Sequence, residues 1–234
     1  MPSSYTTGAS AGLQADTAVK DAAKDIRFRF ACPEDCTHLA LLADMATRRL
    51  TSHLWGLVAA PGQSAFEAGR AIIRNDETHL SRYANWRIAE CRGQVVGAIN
   101  GYIQPDLTGQ PSMTSEVLAP LNALKSVAAG TWYLSAAAIY PEHQGHGFGK
   151  ALLAEAEARA RAAGSDRLTL MVGSFNPRAR ALYRQTGFVE WDRRPFTPFP
   201  GSDTPGEWIL MVKDLSQILS VRNRISATPE EISS

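Results

Sequence analysis

Three glycines, Gly145, Gly147 and Gly149, stand at alternate positions just before an apolar stretch that begins at Ala151. Glycine lets the backbone approach an anion closely and reach dihedral angles that other residues avoid. The stretch from about 149 to 163 has the pattern of a helix, and the first N–H groups of a helix lack internal partners at the positive end of its dipole. The residues therefore predict a phosphate site, with a purely structural glycine turn as the alternative.

Two familiar nucleotide loops do not fit these residues. A Walker A loop would need glycine where Gln144 stands, and a hydroxyl residue where Ala151 follows Gly149-Lys150. A dinucleotide loop would need a third glycine at the position of Lys150. Both of these nucleotide-loop interpretations are therefore weak.

A second segment runs from Asn176-Pro177 through Tyr183 to Gly187-Phe188. Asparagine is a good N-cap and proline a good first helical residue, so a helix is predicted over 177–185. Gly187 suits a left-handed helix end. By spacing alone, Tyr183 is either a core tyrosine with a bonded hydroxyl or a functional one.

The predicted strands and helices that must position the glycine loop and the Asn176-to-Phe188 segment alternate along the chain. Hydrophobic period-2 runs predict strands, and helical spacing predicts helices between them, which implies a mixed α/β sheet. Strands are predicted at 26–30, 86–90, 95–102, 132–139, 167–172, 188–193 and 208–212, and helices after Pro33 and at 64–74, 117–128, 149–163 and 177–185.

The strand at 132–139 contains three consecutive alanines, Ala136 to Ala138. Alanine has a poor strand preference. Small side chains here are explained either by a ligand lying against the backbone or by close packing of a neighbouring helix.

The pattern Gln144-x-x-Gly147-x-Gly149, followed at the expected distance by the Asn176-to-Phe188 segment, resembles the signature of the GNAT N-acetyltransferase superfamily. The resemblance covers roughly 25–214 and is strongest over 131–190. It implies a central mixed, largely antiparallel sheet of about six to seven strands flanked by helices. That sheet would be splayed between its fourth and fifth strands.

The resemblance also implies acetyl-CoA as the acyl donor. The backbone of Ala138, Ile139 and Tyr140 would hold the pantetheine arm and polarise the thioester carbonyl, Asn176 would bond the pantetheine, and Tyr183 would be the general acid. The loop that would take the pyrophosphate comprises Gln144, Gly145, His146, Gly147, Phe148, Gly149 and Lys150.

The resemblance leaves the general base unassigned. Relatives place a glutamate at positions where this chain has Tyr133 or Met171. Other residues of the substrate-side elements could act as the base or could be ordinary surface residues: Glu90, Asp106, Glu116 and His53. The implied acceptor is a primary amine of a small molecule, an amino acid, or a peptide or protein N-terminus. The alternatives are a non-catalytic CoA-binding sensor or regulatory module, and an interaction protein whose glycine loop is structural.

The amino-acid composition limits the classes of binding partner that we expect. The 234-residue chain is 44% hydrophobic and 20% charged, with a formal net charge of +1. That balance gives no basis for nucleic acid as partner. No apolar run is long enough to span a bilayer, so no membrane partner is expected. Exposed sheet edges would allow a homodimer.

The N-terminal residues and the cysteines indicate the cellular compartment that we expect. The first residues lack the basic start and apolar stretch of a secretory signal. Cys32, Cys36 and Cys91 form neither an even disulfide set nor a metal-ligand pattern. We therefore expect a cytoplasmic protein without a metal, in which an acyltransferase domain over 25–215 lies between a flexible N-terminal tail, 1–24, and a C-terminal tail, 216–234.

Overall fold

The computed structural model describes residues 25–107, 115–202 and 205–216. The predicted tails at 1–24 and 216–234 lie outside these residues, except for Ser216. The assignment of one acyltransferase domain to 25–215 stays a prediction. Within the described ranges, no helix has both the length and the apolar character needed to cross a bilayer.

The described residues form one seven-stranded sheet in the order β1-β2-β3-β4-β5-β7-β6. β4 and β5 are parallel, whereas β1 with β2, β2 with β3, β5 with β7 and β6 with β7 are antiparallel. This confirms the predicted mixed, largely antiparallel sheet. The strands are β1 Ile26–Phe30, β2 Trp86–Cys91, β3 Gln94–Ile103, β4 Trp132–Ile139, β5 Arg167–Gly173, β6 Val189–Pro195 and β7 Glu207–Asp214.

Six α-helices lie between these strands in the described residues. The predicted strands and helices are found with bounds within about two residues of the expected ones, a usual uncertainty for element ends. A short 3-10 turn at Pro33–Asp35 precedes the first helix. The helices are α1 Cys36–Ala46, α2 Leu50–Val58, α3 Ala65–Asn75, α4 Ala119–Val127, α5 Phe148–Ala162 and α6 Pro177–Gln185.

Helix α2 is absent from the sequence-based prediction. Its residues include threonine, serine, histidine, tryptophan, glycine and valine, which are poor helix formers. Tertiary packing explains the helix, because the ring of Trp55 lies directly over Gly69 of α3. The carboxylate of Asp44 also accepts a hydrogen bond from the Ser52 N–H at 3.0 Å, within the first turn of α2.

The chain divides into two compact units. Of the described residues, the first unit comprises 25–100 with 136–155, and the second comprises those of 101–135 and 156–216. The core of the first unit joins Leu39 of α1, Ile73 of α3 and Ile88 of β2. Ala136 and Ala138 of β4 pack against this core, so helix packing explains these two alanines. The second unit has its own buried apolar residues on β5 and β7, among them Leu168 and Leu210.

An ion pair fixes the entry to α1 in the first unit. The Arg29 guanidinium donates to both carboxylate oxygens of Asp35, at 2.7 and 2.8 Å, and to Glu90 at 2.7 Å. The Cys32 N–H also donates to Asp35 at 2.8 Å. These hydrogen bonds, that of Arg29 foremost, lower the pKa of Asp35 from 3.8 to about 2.

This pair predicts an acid-dependent loss of stability. Because the pKa of Asp35 is lower in the folded chain than in the unfolded one, its stabilisation is present above pH 4 and is lost as the pH falls towards 2. Since the Arg29 side chain is 38% exposed, solvent screening reduces the effect. We expect Asp35→Asn to lower the free energy of unfolding by about 1–2 kcal/mol at pH 7.

Urea denaturation of both proteins at pH 7, 4 and 2 measures the effect. The difference between wild type and Asp35→Asn should shrink towards zero at pH 2. A difference that stayed constant with pH would contradict the assignment of the ionised Asp35 as the stabilising form.

Candidate functional site

The glycine loop connects β4 to α5 within the first unit. After a 3-10 turn at Pro141–His143, Gly145 and Gly147 adopt φ angles of +85° and +79°, and α5 begins at Phe148. A Cβ atom at Gly145 would meet nothing within 4 Å, so its backbone angle alone requires glycine. Two left-handed residues therefore turn the chain directly into the N-terminus of a helix.

The exposed backbone of this loop is suited to an anion. Gly145, Gly147 and Lys150 are exposed. Phe148 is buried and its ring stacks with His146, with ring centroids 5.9 Å apart. The first turn of α5 supplies N–H groups without helical acceptors, and the helix dipole adds positive potential there. The structure thus brings the predicted loop residues together in a single turn.

Gln144 links this loop back to β4. Its side-chain amide donates a hydrogen bond to the Ile139 carbonyl at 3.2 Å. The sequence suggested a role for Gln144 at the pyrophosphate. The structure shows in addition that its side chain contacts the backbone of the strand that precedes the loop.

The far half of β4 extends past its pairing with β5. The parallel ladder joins only Trp132–Leu134 of β4 to Leu168–Leu170 of β5, whereas β4 continues to Ile139. At the end of β4, the Tyr140 N–H donates to the Val96 carbonyl of β3 at 3.0 Å. Peptide groups alternate in direction along a strand, so the Ile139 N–H points away from β3. That N–H is a candidate donor for a ligand.

The Tyr140 hydroxyl lies 2.7 Å from Nδ1 of His38 on α1, and their rings meet edge to face at 5.9 Å. Burial raises the pKa of Tyr140, which keeps the phenol neutral. Sequence reasoning did not identify His38, because nothing local in the sequence links residues 38 and 140. The pair ties the end of β4 to α1.

Asn176 and the residues after it form the predicted capped helix in the second unit. The Asn176 side-chain oxygen accepts a hydrogen bond from the Ala179 N–H at 3.2 Å, and Pro177 is the first residue of α6. Gly187 has φ +93° beyond the end of the helix. Because the cap uses the side-chain oxygen of Asn176, its amide NH₂ is the part suited to a ligand.

Tyr183 lies on α6 with its ring 5.8 Å from that of Phe188. The Phe188 N–H donates to the Tyr183 carbonyl at 3.0 Å, which closes the end of the helix around the tyrosine. Burial raises the pKa of Tyr183 to about 12. The phenol is therefore protonated at neutral pH and is a hydrogen-bond donor.

Tyr133, a further tyrosine of the second unit, lies near Tyr183. Tyr133 is buried, and its ring packs edge to face with that of Tyr102 at 5.8 Å. Burial raises the pKa of Tyr133, with smaller contributions from Tyr102 and Tyr183. Tyr102 also shares a side-chain hydrogen bond with Ser135. A phenol with a raised pKa stays protonated at neutral pH, so Tyr133 cannot act as the general base.

Charged residues considered from the sequence have structural partners. Glu90, one candidate base, accepts the hydrogen bond from Arg29. On the second unit, Arg180 and Arg184 of α6 pair with Glu190 of β6 at 2.9 and 2.5 Å. These ion pairs hold α6 on β6. Among the residues that the structure describes, no three His, Cys, Asp or Glu side chains are grouped to hold a metal.

Comparison with known proteins identifies the family. The sequence profile described as the Acetyltransferase (GNAT) family matches residues 51–188, more than half of the chain. The protein belongs to this family. The uncharacterized N-acetyltransferase YycN of Bacillus subtilis (strain 168) is 43% identical over 54 residues, which are 23% of this chain and 35% of that relative. The chain thus matches only about a third of the length of that curated relative.

Solved structures show the same fold. The protein yncA from Salmonella typhimurium, solved with its cofactor acetyl-CoA, is 18% identical with a TM-score of 0.53, over 88% of this chain and 99% of that one. The spermidine N-acetyltransferase from Vibrio cholerae, solved with CoA and spermine, is also 18% identical, with a TM-score of 0.55 over 84% and 99% of the two chains. At such identities the likeness shows the fold.

Proposed function

We propose that this protein transfers an acetyl group from acetyl-CoA to a primary amine of a small molecule, an amino acid, or a peptide or protein N-terminus. The observation on which this rests is the loop in which Gly145 and Gly147 turn the chain from β4 into the N-terminus of α5. Membership of the acetyltransferase family supports the same reaction.

Acetyl-CoA would bind mainly through backbone groups. The N–H groups of 145–149 would bond the pyrophosphate, as anions bond helix N-termini. The Lys150 N–H already donates to the Gly147 carbonyl at 3.1 Å, so Lys150 would contribute through its side chain. The backbone of Ala138, Ile139 and Tyr140 would lie along the pantetheine arm like an added strand. Because the Tyr140 N–H is taken by Val96, the Ile139 N–H is the donor we assign to the thioester carbonyl. The Asn176 amide would bond the pantetheine.

The chemical step would be direct attack on the thioester. The neutral amine nitrogen bonds to the carbonyl carbon, the C–S bond breaks, and the sulfur leaves as CoA thiolate, while the proton released from the nitrogen passes to water. A lysine-like amine costs about 4.6 kcal/mol to deprotonate at pH 7. Since Glu90 is paired with Arg29, we leave the base unassigned and infer that desolvation or an ordered water assists.

Tyr183 would act at the leaving sulfur. With the pKa of the phenol near 12 and that of a thiol near 8.5, complete proton transfer would be uphill by about 4.8 kcal/mol. A hydrogen bond from the phenol to the developing thiolate requires no such transfer and is stronger than one to a neutral sulfur. We therefore assign Tyr183 as a general acid that acts mainly by hydrogen-bond donation.

Calorimetric titration with acetyl-CoA, followed by thiol-release assays on an amine panel, tests the proposal. We expect one site of micromolar or tighter affinity and turnover with at least one amine, the panel including amino acids, polyamines and short peptides. Binding without turnover on any amine would favour the non-catalytic CoA-binding module. Absence of binding would overturn the cofactor assignment and favour an interaction protein.

A further inference from the structure

Gly97 of β3 occupies a position where no side chain fits. A Cβ atom built there would lie 2.3 Å from the Ala138 carbonyl oxygen, 2.6 Å from Cδ1 of Ile139 and 3.2 Å from Cα of Ile139. Carbon atoms do not approach a carbonyl oxygen so closely. Because two of the three neighbouring atoms belong to the backbone of β4, a rotamer change could not relieve the overlap. Any side chain at 97 must therefore displace the Ala138–Ile139 peptide.

The register of β3 explains why this contact is so close. Ala89 of β2 pairs with Gly97, but the next residue, Glu90, pairs with Val95, so Val96 is an extra residue in a bulge. A bulge re-aims the strand on which it occurs. The Val96 carbonyl accepts the Tyr140 N–H at 3.0 Å. β3 thus approaches the end of β4 at two adjacent residues. Val96 accepts the hydrogen bond from Tyr140, and Gly97, which has no side chain, leaves room for the Ala138–Ile139 peptide.

We propose that Gly97 is a positioning residue for the transfer reaction: its missing side chain lets the Ala138–Ile139 peptide lie where the Ile139 N–H can reach the thioester carbonyl. This inference rests on the proposed function, since it concerns the donor that the function assigns to Ile139. Gly97 itself does not touch the substrate. Its effect is transmitted through the single peptide group that follows Ala138.

A positioning role predicts a particular kinetic signature. The Ile139 N–H bonds the thioester oxygen more strongly as negative charge develops, so its displacement lowers kcat more than it weakens acetyl-CoA binding. Displacements of about 1 Å in such sites reduce rates by about 100-fold. We expect Gly97→Ala to lower kcat by about 10- to 100-fold and to raise the Kd for acetyl-CoA by less than about 5-fold.

Gly69→Ala is the matched control in the same unit. Its added Cβ would lie 2.1 to 2.4 Å from ring atoms of Trp55, so it creates a comparable overlap with a core side chain and not with the backbone of β4. Both variants should lower the midpoint of thermal unfolding. Gly69→Ala should nevertheless keep kcat at saturating acetyl-CoA within about 2-fold of the wild type, because its overlap does not displace the backbone of β4. Equal losses of kcat in the two variants would assign Gly97 to stability alone.

The substitution Ile139→Val distinguishes the side-chain part of the overlap at position 97 from its backbone part. Valine lacks Cδ1 and removes the 2.6 Å contact, whereas the 2.3 Å contact with the Ala138 oxygen remains. The double variant Gly97→Ala/Ile139→Val should therefore stay as slow as Gly97→Ala. Recovery of the wild-type rate in the double variant would overturn the inference that the backbone displacement causes the loss.

A measurement on the wild type makes the test independent of folding of the variants. The amide resonance of Ile139 should shift more on binding acetyl-CoA than on binding CoA, which lacks the carbonyl, while the amide of Tyr140 should respond equally to both. Equal responses of Ile139 would overturn the inference. No turnover in the wild type contradicts the proposed function itself, whereas wild-type turnover with an unchanged kcat in Gly97→Ala contradicts this inference alone.

Discussion

Replacement of Gly147 by glutamate is expected to raise the Kd for acetyl-CoA at least 100-fold, to the point of no measurable heat in a titration. The new carboxylate would lie at the N-terminus of α5, where it would bond the free N–H groups itself and repel the pyrophosphate. Two unit charges about 4 Å apart near a protein surface repel by about 4 kcal/mol, which corresponds to nearly a thousandfold in affinity.

Gly62→Glu is the control for this variant. Gly62 has φ +80°, almost the same as the +79° of Gly147, and a Cβ there would meet nothing within 4 Å. Both variants thus force a non-glycine residue into the left-handed region of backbone angles, which costs about 1–2 kcal/mol of stability. Gly62 lies in the turn before α3, so Gly62→Glu should bind acetyl-CoA as the wild type does. Wild-type affinity in Gly147→Glu would refute the assigned phosphate loop.

Tyr183→Phe is expected to retain acetyl-CoA binding and to lower kcat by about 10- to 150-fold. This factor corresponds to the loss of one hydrogen bond to a charged group, which contributes about 1.5–3 kcal/mol. Phenylalanine keeps the ring contact with Phe188, so the packing around α6 changes little. Single-turnover thioester cleavage separates the chemical step from product release. An unaltered single-turnover rate would remove Tyr183 from the mechanism.

The same assignment predicts the pH dependence. Burial raises the pKa of Tyr183 to about 12, so its phenol stays protonated and kcat should show no alkaline limb from this group below about pH 11. Between pH 6 and 9, kcat/KM should rise as the acceptor amine loses its proton. Tyr83→Phe, in the short turn before β2, is the control for hydroxyl deletion and should leave both profiles unchanged. A falling limb near pH 9 that disappears in Tyr183→Phe would contradict the raised pKa.

Several parts of the site could be predicted from the sequence because their causes are local. The left-handed angles of Gly145, Gly147 and Gly187 follow from the glycine residue type, which makes such angles inexpensive. The cap by Asn176 before Pro177 likewise follows from residue type and position. Strand and helix periodicity placed β4 and α6 at their observed bounds.

Other parts depended on residues distant in the sequence. Helix α2 has poor intrinsic propensity and forms because Trp55 packs on Gly69. Tyr140 meets His38, and Ala138 packs on the α1–α3 core, through contacts that no local pattern encodes. A glycine within a predicted strand is a signal of close backbone approach, so Gly97 offered a clue, but only the tertiary structure shows which peptide it approaches.

The sequence by itself therefore determined the loop and helix termini suited to an anion, because backbone angles and caps depend on a few adjacent residues. Only the tertiary structure decided that Glu90 is paired with Arg29, that desolvation raises the pKa of the half-buried Tyr183 phenol, and that the Ile139 N–H is directed away from β3. Protonation states and the directions of peptide groups depend on what surrounds them, and those surroundings come from elements far apart in the chain.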